Sequence, residues 1–221
     1  MEVWDAVPYR LELREVWRLL GYLRGRSQPS PRVQARIDEQ LAASRGLVRP
    51  RAAWTACDPA EVEGSGPFRG AERVAFMVCT IGAGLERRVA ELAARGETSR
   101  ALVLDAIGSA SVEAVADVVN AAICREVGQS GVYTNRRISP GYRGWPLEGQ
   151  RRVFELLPSH ATGVRLKPTC FMEPRKSISA AVSIGRAVAH SKYVSICGYC
   201  DLAGCAFRRA PDAGAPDGPH V

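Results

Sequence analysis

Apolar positions recur at helical spacing near the start of the chain. Leu13, Val16, Trp17, Leu20 and Leu23 fall on one stripe of a 3.6-residue period, which predicts a helix over residues 9–24. Ser30 and Pro31 supply a capping hydroxyl and a first-turn proline for a second helix, with Val33, Ile37 and Leu41 on its apolar face. The pattern then changes, and ERVAFMVCT, residues 72–80, reads as a strand. Ile81-Gly82-Ala83-Gly84 turns the chain into a helix carrying Leu85, Val89 and Leu92, which Gly96 ends. A longer helix is expected over 100–127, burying Ile107, Ala110, Ala114, Val118 and Ala122, and another over 147–157. Small residues on the long helix permit a close approach to whatever covers them. SISAAVSIG, residues 177–185, alternates with a period of two. Ile178, Ala180, Val182 and Ile184 share one face of that strand, and Ser177, Ser179, Ala181 and Ser183 the other. The Pro/Gly/Ala-rich tail, residues 210–221, is expected to be disordered. No internal repeat is visible.

Composition supports a globular chain with a substantial core: hydrophobic residues make up 46% and charged residues 24% of 221 positions. No apolar run approaches 18 residues, so no membrane span is expected. The N-terminus mixes acids and bases from its second residue, unlike a secretory signal, and the chain is expected to be cytoplasmic. The net charge of +7 is spread over pairs at Arg136-Arg137, Arg151-Arg152, Arg175-Lys176 and Arg208-Arg209. No nucleic-acid-binding signature accompanies it. These pairs read either as solvated surface or as a face for an acidic partner or anionic ligand.

Several catalytic classes fall away. A dinucleotide fingerprint built on Gly82-Ala83-Gly84 would need glycine where Arg87 stands, so this stretch reads as a tight turn. His160, His190 and His220 have no metal-ligand spacing among themselves. Neither a nucleophile elbow, nor a zinc-protease motif, nor a P-loop is present, which leaves no case for hydrolase chemistry.

Two stretches carry candidate chemistry. CGYCDLAGC places Cys197 and Cys200 at the spacing of a shared metal, with Cys205 in reach. Zinc and an iron–sulfur cluster both fit three cysteines completed by Cys57, Cys79 or Cys170. Reduced thiols around a turn are the plain alternative. RISPGYRGWP, residues 137–146, combines an arginine with glycines, a tyrosine and two prolines. A guanidinium suits a carboxylate through paired hydrogen bonds, glycines admit a ligand to the backbone, and prolines lower the ordering cost of binding. An amino-acid-like or nucleoside-like ligand fits that set, and a structural loop with a surface arginine is the alternative.

Four motifs in order resemble the reactivation domain of cobalamin-dependent methionine synthase. They are VCTIGAGLE with the alanine-rich helix LDAIGSASVEAVADVVN, the loop R-x-x-x-G-Y-x-x-x-P, FMEPRKSISA, and HSKYV, together spanning roughly residues 70–195. The resemblance implies an α/β (α+β) fold with a curved, mostly antiparallel sheet flanked by helices. The boundaries would be an N-terminal helical appendage at 1–48, the reactivation-like domain at 49–195, the cysteine cluster at 196–209 and the tail at 210–221. It also implies that Arg137 binds the carboxylate of S-adenosylmethionine. Ser139, Gly141 and Tyr142 would line the loop, and Tyr193 and Val194 would lie against the ligand. The small serine face of the 177–183 strand would leave room for ligand or corrinoid.

The chain has no D-x-H-x-x-G cobalamin-binding motif and is too short for the homocysteine and folate modules. The corrinoid would therefore ride on a separate methyltransferase protein, with an electron donor such as a flavodoxin or ferredoxin. The implied activity is reductive methylation of that corrinoid, with no catalytic acid or base in the chain. The cysteine cluster is not part of the large synthase's pattern, and would add electron transfer or a structural metal. A non-catalytic assembly or ligand-sensing partner of a corrinoid methyltransferase is the alternative.

Overall fold

A computed structural model of the chain describes residues 1–22, 27–62, 68–128, 132–135, 137–142, 144–186 and 188. Its frame is a five-stranded sheet in the order β1-β2-β3-β7-β4. The strands are β1 (Glu2–Trp4), β2 (Arg51–Cys57), β3 (Arg73–Thr80), β4 (Tyr133–Thr134) and β7 (Ser177–Gly185), and every pairing is antiparallel. A short hairpin of β5 (Arg165–Leu166) and β6 (Met172–Glu173) stands apart.

β3 is apolar at almost every position because both of its faces are covered. Ala75, Met77 and Cys79 join one buried cluster, Val74, Phe76 and Val78 the other. β7 alternates as its sequence predicts, with Ala180, Val182 and Ile184 in the first cluster and Ala181 in the second. Its serine face is buried as well: Ser177, Ser179 and Ser183 are each at most 8% exposed.

The first face carries α4 (Thr98–Gly128), on which α1 (Leu13–Leu19), α2 (Pro31–Ser44) and α3 (Gly84–Ala94) pack. Ser30 caps α2, its side chain accepting from Val33 N, and Pro31 takes the first position. Residues 1–48, expected as an appendage, add β1 to the edge of the sheet and put Val7, Val16 and Ile37 into the cluster that also holds α4. Periodicity located the apolar stripe of these helices but not what it packs on.

The buried stripe of α4 differs from the expected one. Ile107 and Ala110 are buried, but Ala114, Val118 and Ala122 are only half-buried, while Val115, Ala116, Val119 and Ile123 are covered. The reason is geometric. Each four-residue step overshoots a helical turn by about 40°, so three such steps from Ala110 leave the face that a 3.6-residue period follows.

The turn before α3 is tight, as its glycines predict. Gly82 has a positive φ of 74°, and a Cβ on Gly84 would collide with the carbonyl oxygen of Leu47. Backbone conformation thus accounts for Gly82 and close packing for Gly84.

The second face carries α5 (Gly149–Leu156) and α6 (Ser159–Thr162), which bring Val153 and Ala161 onto Phe76 and Val78. No helix of the described residues is long and apolar enough to cross a membrane.

Candidate functional site

The arginine–glycine–tyrosine loop is fixed at both ends. Tyr133 pairs with Gly185, Thr134 with Ile184 and Ile138 with Ala181, so the chain runs along the outer edge of β7 toward its Ser177 end. Ile138 and Ala181 exchange backbone hydrogen bonds of 2.9 and 2.8 Å. At the far end Trp145 is buried edge-on against Phe68 at 5.1 Å and Phe76 at 6.3 Å. Between these anchors Trp145 N donates to Tyr142 O, Tyr142 N to Ser139 O, and Gly141 N to Trp145 O. Gly141, at φ 92°, makes the reversal that brings Tyr142 to the exposed tip. Arg137, Ser139, Gly141 and Tyr142 thus belong to one braced segment. Tyr193, Val194, Cys197, Cys200 and Cys205 lie outside the described residues.

Arg137 does not stand at the surface. Its side chain is 14% exposed, and its Nη2 lies 2.7 Å from Glu113 Oε2 and 2.9 Å from Asp117 Oδ1. Its Nη1 is buried without a hydrogen-bond partner. Such a donor carries a desolvation cost until something accepts from it. Glu113 and Asp117 sit four residues apart on α4 and share a face. Both fall within the alanine-rich helix, where the signal in the sequence is the four-residue spacing of two acids on a largely apolar helix.

The local charge is one cation against two carboxylates, and its influence reaches the sheet. Cys79, fully buried on β3, has its thiol pushed up to about 12, mainly by burial. Arg137 opposes that shift, and Glu113 and Asp117 add to it. Burial thus keeps this thiol protonated at neutral pH. Among the described residues no group of His, Cys, Asp and Glu is arranged to hold a metal.

A second cation docks on the same helix one step away. Lys176 Nζ lies 2.7 Å from Asp105 and 2.8 Å from Ser109 Oγ, again two positions four residues apart on α4. Between Lys176 and Glu113 opens a cavity of about 270 Å³, bounded by α1, α4 and the start of β7. Glu113 lines the cavity and also holds Arg137.

The family model described as "Vitamin B12 dependent methionine synthase, activation domain" matches residues 67–198. A crystal structure of the MetH reactivation domain bound to AdoHcy is similar in fold, with a TM-score of 0.54 at 13% identity. The match covers 86% of this chain and 83% of that one. No curated protein matches the chain.

Proposed function

Since the chain belongs to the vitamin B12 dependent methionine synthase activation domain family, we propose that it binds S-adenosylmethionine and supports reductive methylation of a corrinoid carried by a separate methyltransferase protein. The observation that carries this reading is the Arg137–Glu113–Asp117 cluster.

The ligand ends in an α-amino acid, which needs a cation for its carboxylate and an anion for its ammonium. The cluster offers both within one group, and Arg137 Nη1 is a buried donor lacking an acceptor. A carboxylate there would form a charge-assisted hydrogen bond. Glu113 and Asp117, half-exposed, are placed to take the ammonium. The AdoHcy bound in the similar MetH domain has the same amino-acid end, which supports the assignment.

When bound, S-adenosylmethionine supplies a sulfonium-borne methyl group, and the reduced corrinoid of the partner is the nucleophile. This chain's residues do the positioning. The anchors at Ile138 and Trp145 hold the loop, Arg137 and the two carboxylates fix the amino-acid end, and Tyr142 presents its ring at the exposed tip. No proton needs to be moved, in keeping with a site built from binding groups. A flavodoxin or ferredoxin would supply the electron for the corrinoid.

Calorimetric titration with S-adenosylmethionine and S-adenosylhomocysteine tests the reading. Saturable one-to-one binding is expected, followed by methyl transfer to a reduced corrinoid protein. A wild-type chain that binds neither ligand would overturn it.

A further inference from the structure

The cavity beside Glu113 is closed on one side by α1, residues Leu13–Leu19, which lies outside the 67–198 segment matched by the family. We infer that this cavity receives the α-amino-acid end of the ligand, and that Arg18 of α1 is a specificity-determining residue there. The inference rests on the reading of the chain as an S-adenosylmethionine-binding protein and extends it to a part of the chain that the family does not define.

Charge is the first argument. Arg18, Arg175 and Lys176 face the cavity together with the carboxylates of Glu15 and Glu113. A mixed charged set of this kind matches a zwitterion, and Leu19, Ala110, Val112 and Ile178 line part of the rest of the wall. Pre-organisation is the second. Arg18 Nε is held by Glu15 Oε2 at 2.9 Å, Lys176 by Asp105 and Ser109, and Glu113 by Arg137. Charges already fixed in place lose little freedom when a ligand arrives. Burial is the third. The side chains of Arg18 and Lys176 are 19% and 13% exposed, so salt screens their attraction for a carboxylate less than it would at the surface.

The cavity, about 270 Å³ and partly open, accommodates the amino-acid end, and the nucleoside is directed toward the Tyr142 loop that runs to this end of β7. Glu113 is then the link, lining the cavity beside Arg18 and holding Arg137 by its ion pair.

The test compares two probes on the full chain by calorimetry: S-adenosylhomocysteine, and 5′-methylthioadenosine, which has the same nucleoside and thioether but no amino-acid end. Wild type should prefer S-adenosylhomocysteine. Arg18→Ala should weaken that ligand by about tenfold or more, as loss of a charged contact does, and leave 5′-methylthioadenosine unchanged. Arg18→Gln, which keeps an aliphatic stem, should give the same split, and melting curves establish that each variant is folded. Equal losses for both probes would assign Arg18 a structural role and overturn the inference, as would no loss for either, or a wild type with no preference between them. The two results for the variants leave the proposed function standing, whereas a wild type without preference also removes the Arg137 cluster as the holder of the amino-acid end. A wild type that binds neither probe overturns both.

Discussion

Arg137 Nη2 and Glu113 Oε2 lie 2.7 Å apart, and the same nitrogen reaches Asp117 at 2.9 Å. One guanidinium corner therefore restrains two carboxylates, the other corner, Nη1, is buried without an acceptor, and in the proposed reading a ligand carboxylate supplies one. Replacing Arg137 with Ala should weaken S-adenosylmethionine binding by about 1.5–3 kcal/mol, the worth of a hydrogen bond to a charged group. Arg137→Lys should restore only part of it, because a point charge cannot hold the paired geometry. Equal affinities of wild type and Arg137→Ala by calorimetry would remove Arg137 from the site.

Trp145 is the packing anchor of the loop. Trp145→Ala should cost about 3–5 kcal/mol in a denaturant titration, the usual range for emptying a buried tryptophan site. Trp145→Phe keeps a ring against Phe68 and Phe76 and should cost less. If the Ala variant unfolds at the wild-type denaturant concentration, the loop is held by its backbone alone.

Gly84→Ala should destabilise the fold by about 1–3 kcal/mol, because the new methyl meets backbone at Leu47 and not a movable side chain. A neutral result in thermal unfolding would show that the turn has slack and would weaken the packing account of Gly84.

Cys79 predicts an alkaline limit. Folding raises its thiol from an ordinary 9.0 to about 12. Between those values the unfolded chain has released a proton that the folded chain keeps, so stability is intact below the lower value and falls as pH rises toward the upper one. One proton accounts for up to about 1.4 kcal/mol per pH unit. Cys79→Ala should flatten the wild-type slope by that amount between pH 9 and 11. Parallel slopes would show that Cys79 does not govern the transition.

The cysteine cluster calls for a direct measurement. Protein prepared without oxygen should carry iron and sulfide, or zinc, through Cys197, Cys200 and Cys205, and lose it in a Cys197→Ala/Cys200→Ala double variant. Metal analysis finding neither in the wild type would return these residues to reduced thiols.

Much of the frame could be read from the chain. The alternation of SISAAVSIG located β7 and both of its faces, and the Ser30-Pro31 start located α2. The Arg137 loop stood out because its residue types suit no regular element. What escaped was any relation set by three-dimensional contact. No feature of the sequence assigns Glu113 and Asp117 a partner; the segment through Ile138 brings Arg137 across them. The role of α1 was hidden for the same reason: an apolar stripe states that a helix is covered, and says nothing of the polar residues at its rim.

One helix, α4, receives both docked cations, Lys176 at Asp105 and Ser109 and Arg137 at Glu113 and Asp117. It therefore works as a ruler. Eight residues separate Asp105 from Glu113, a span of about 12 Å that no loop can stretch. Lengthening the ruler by one residue between Ser109 and Glu113 would advance one graduation by about 1.5 Å and turn it by about 100° around the axis. The two cations would then fall out of phase on a helix that remained whole.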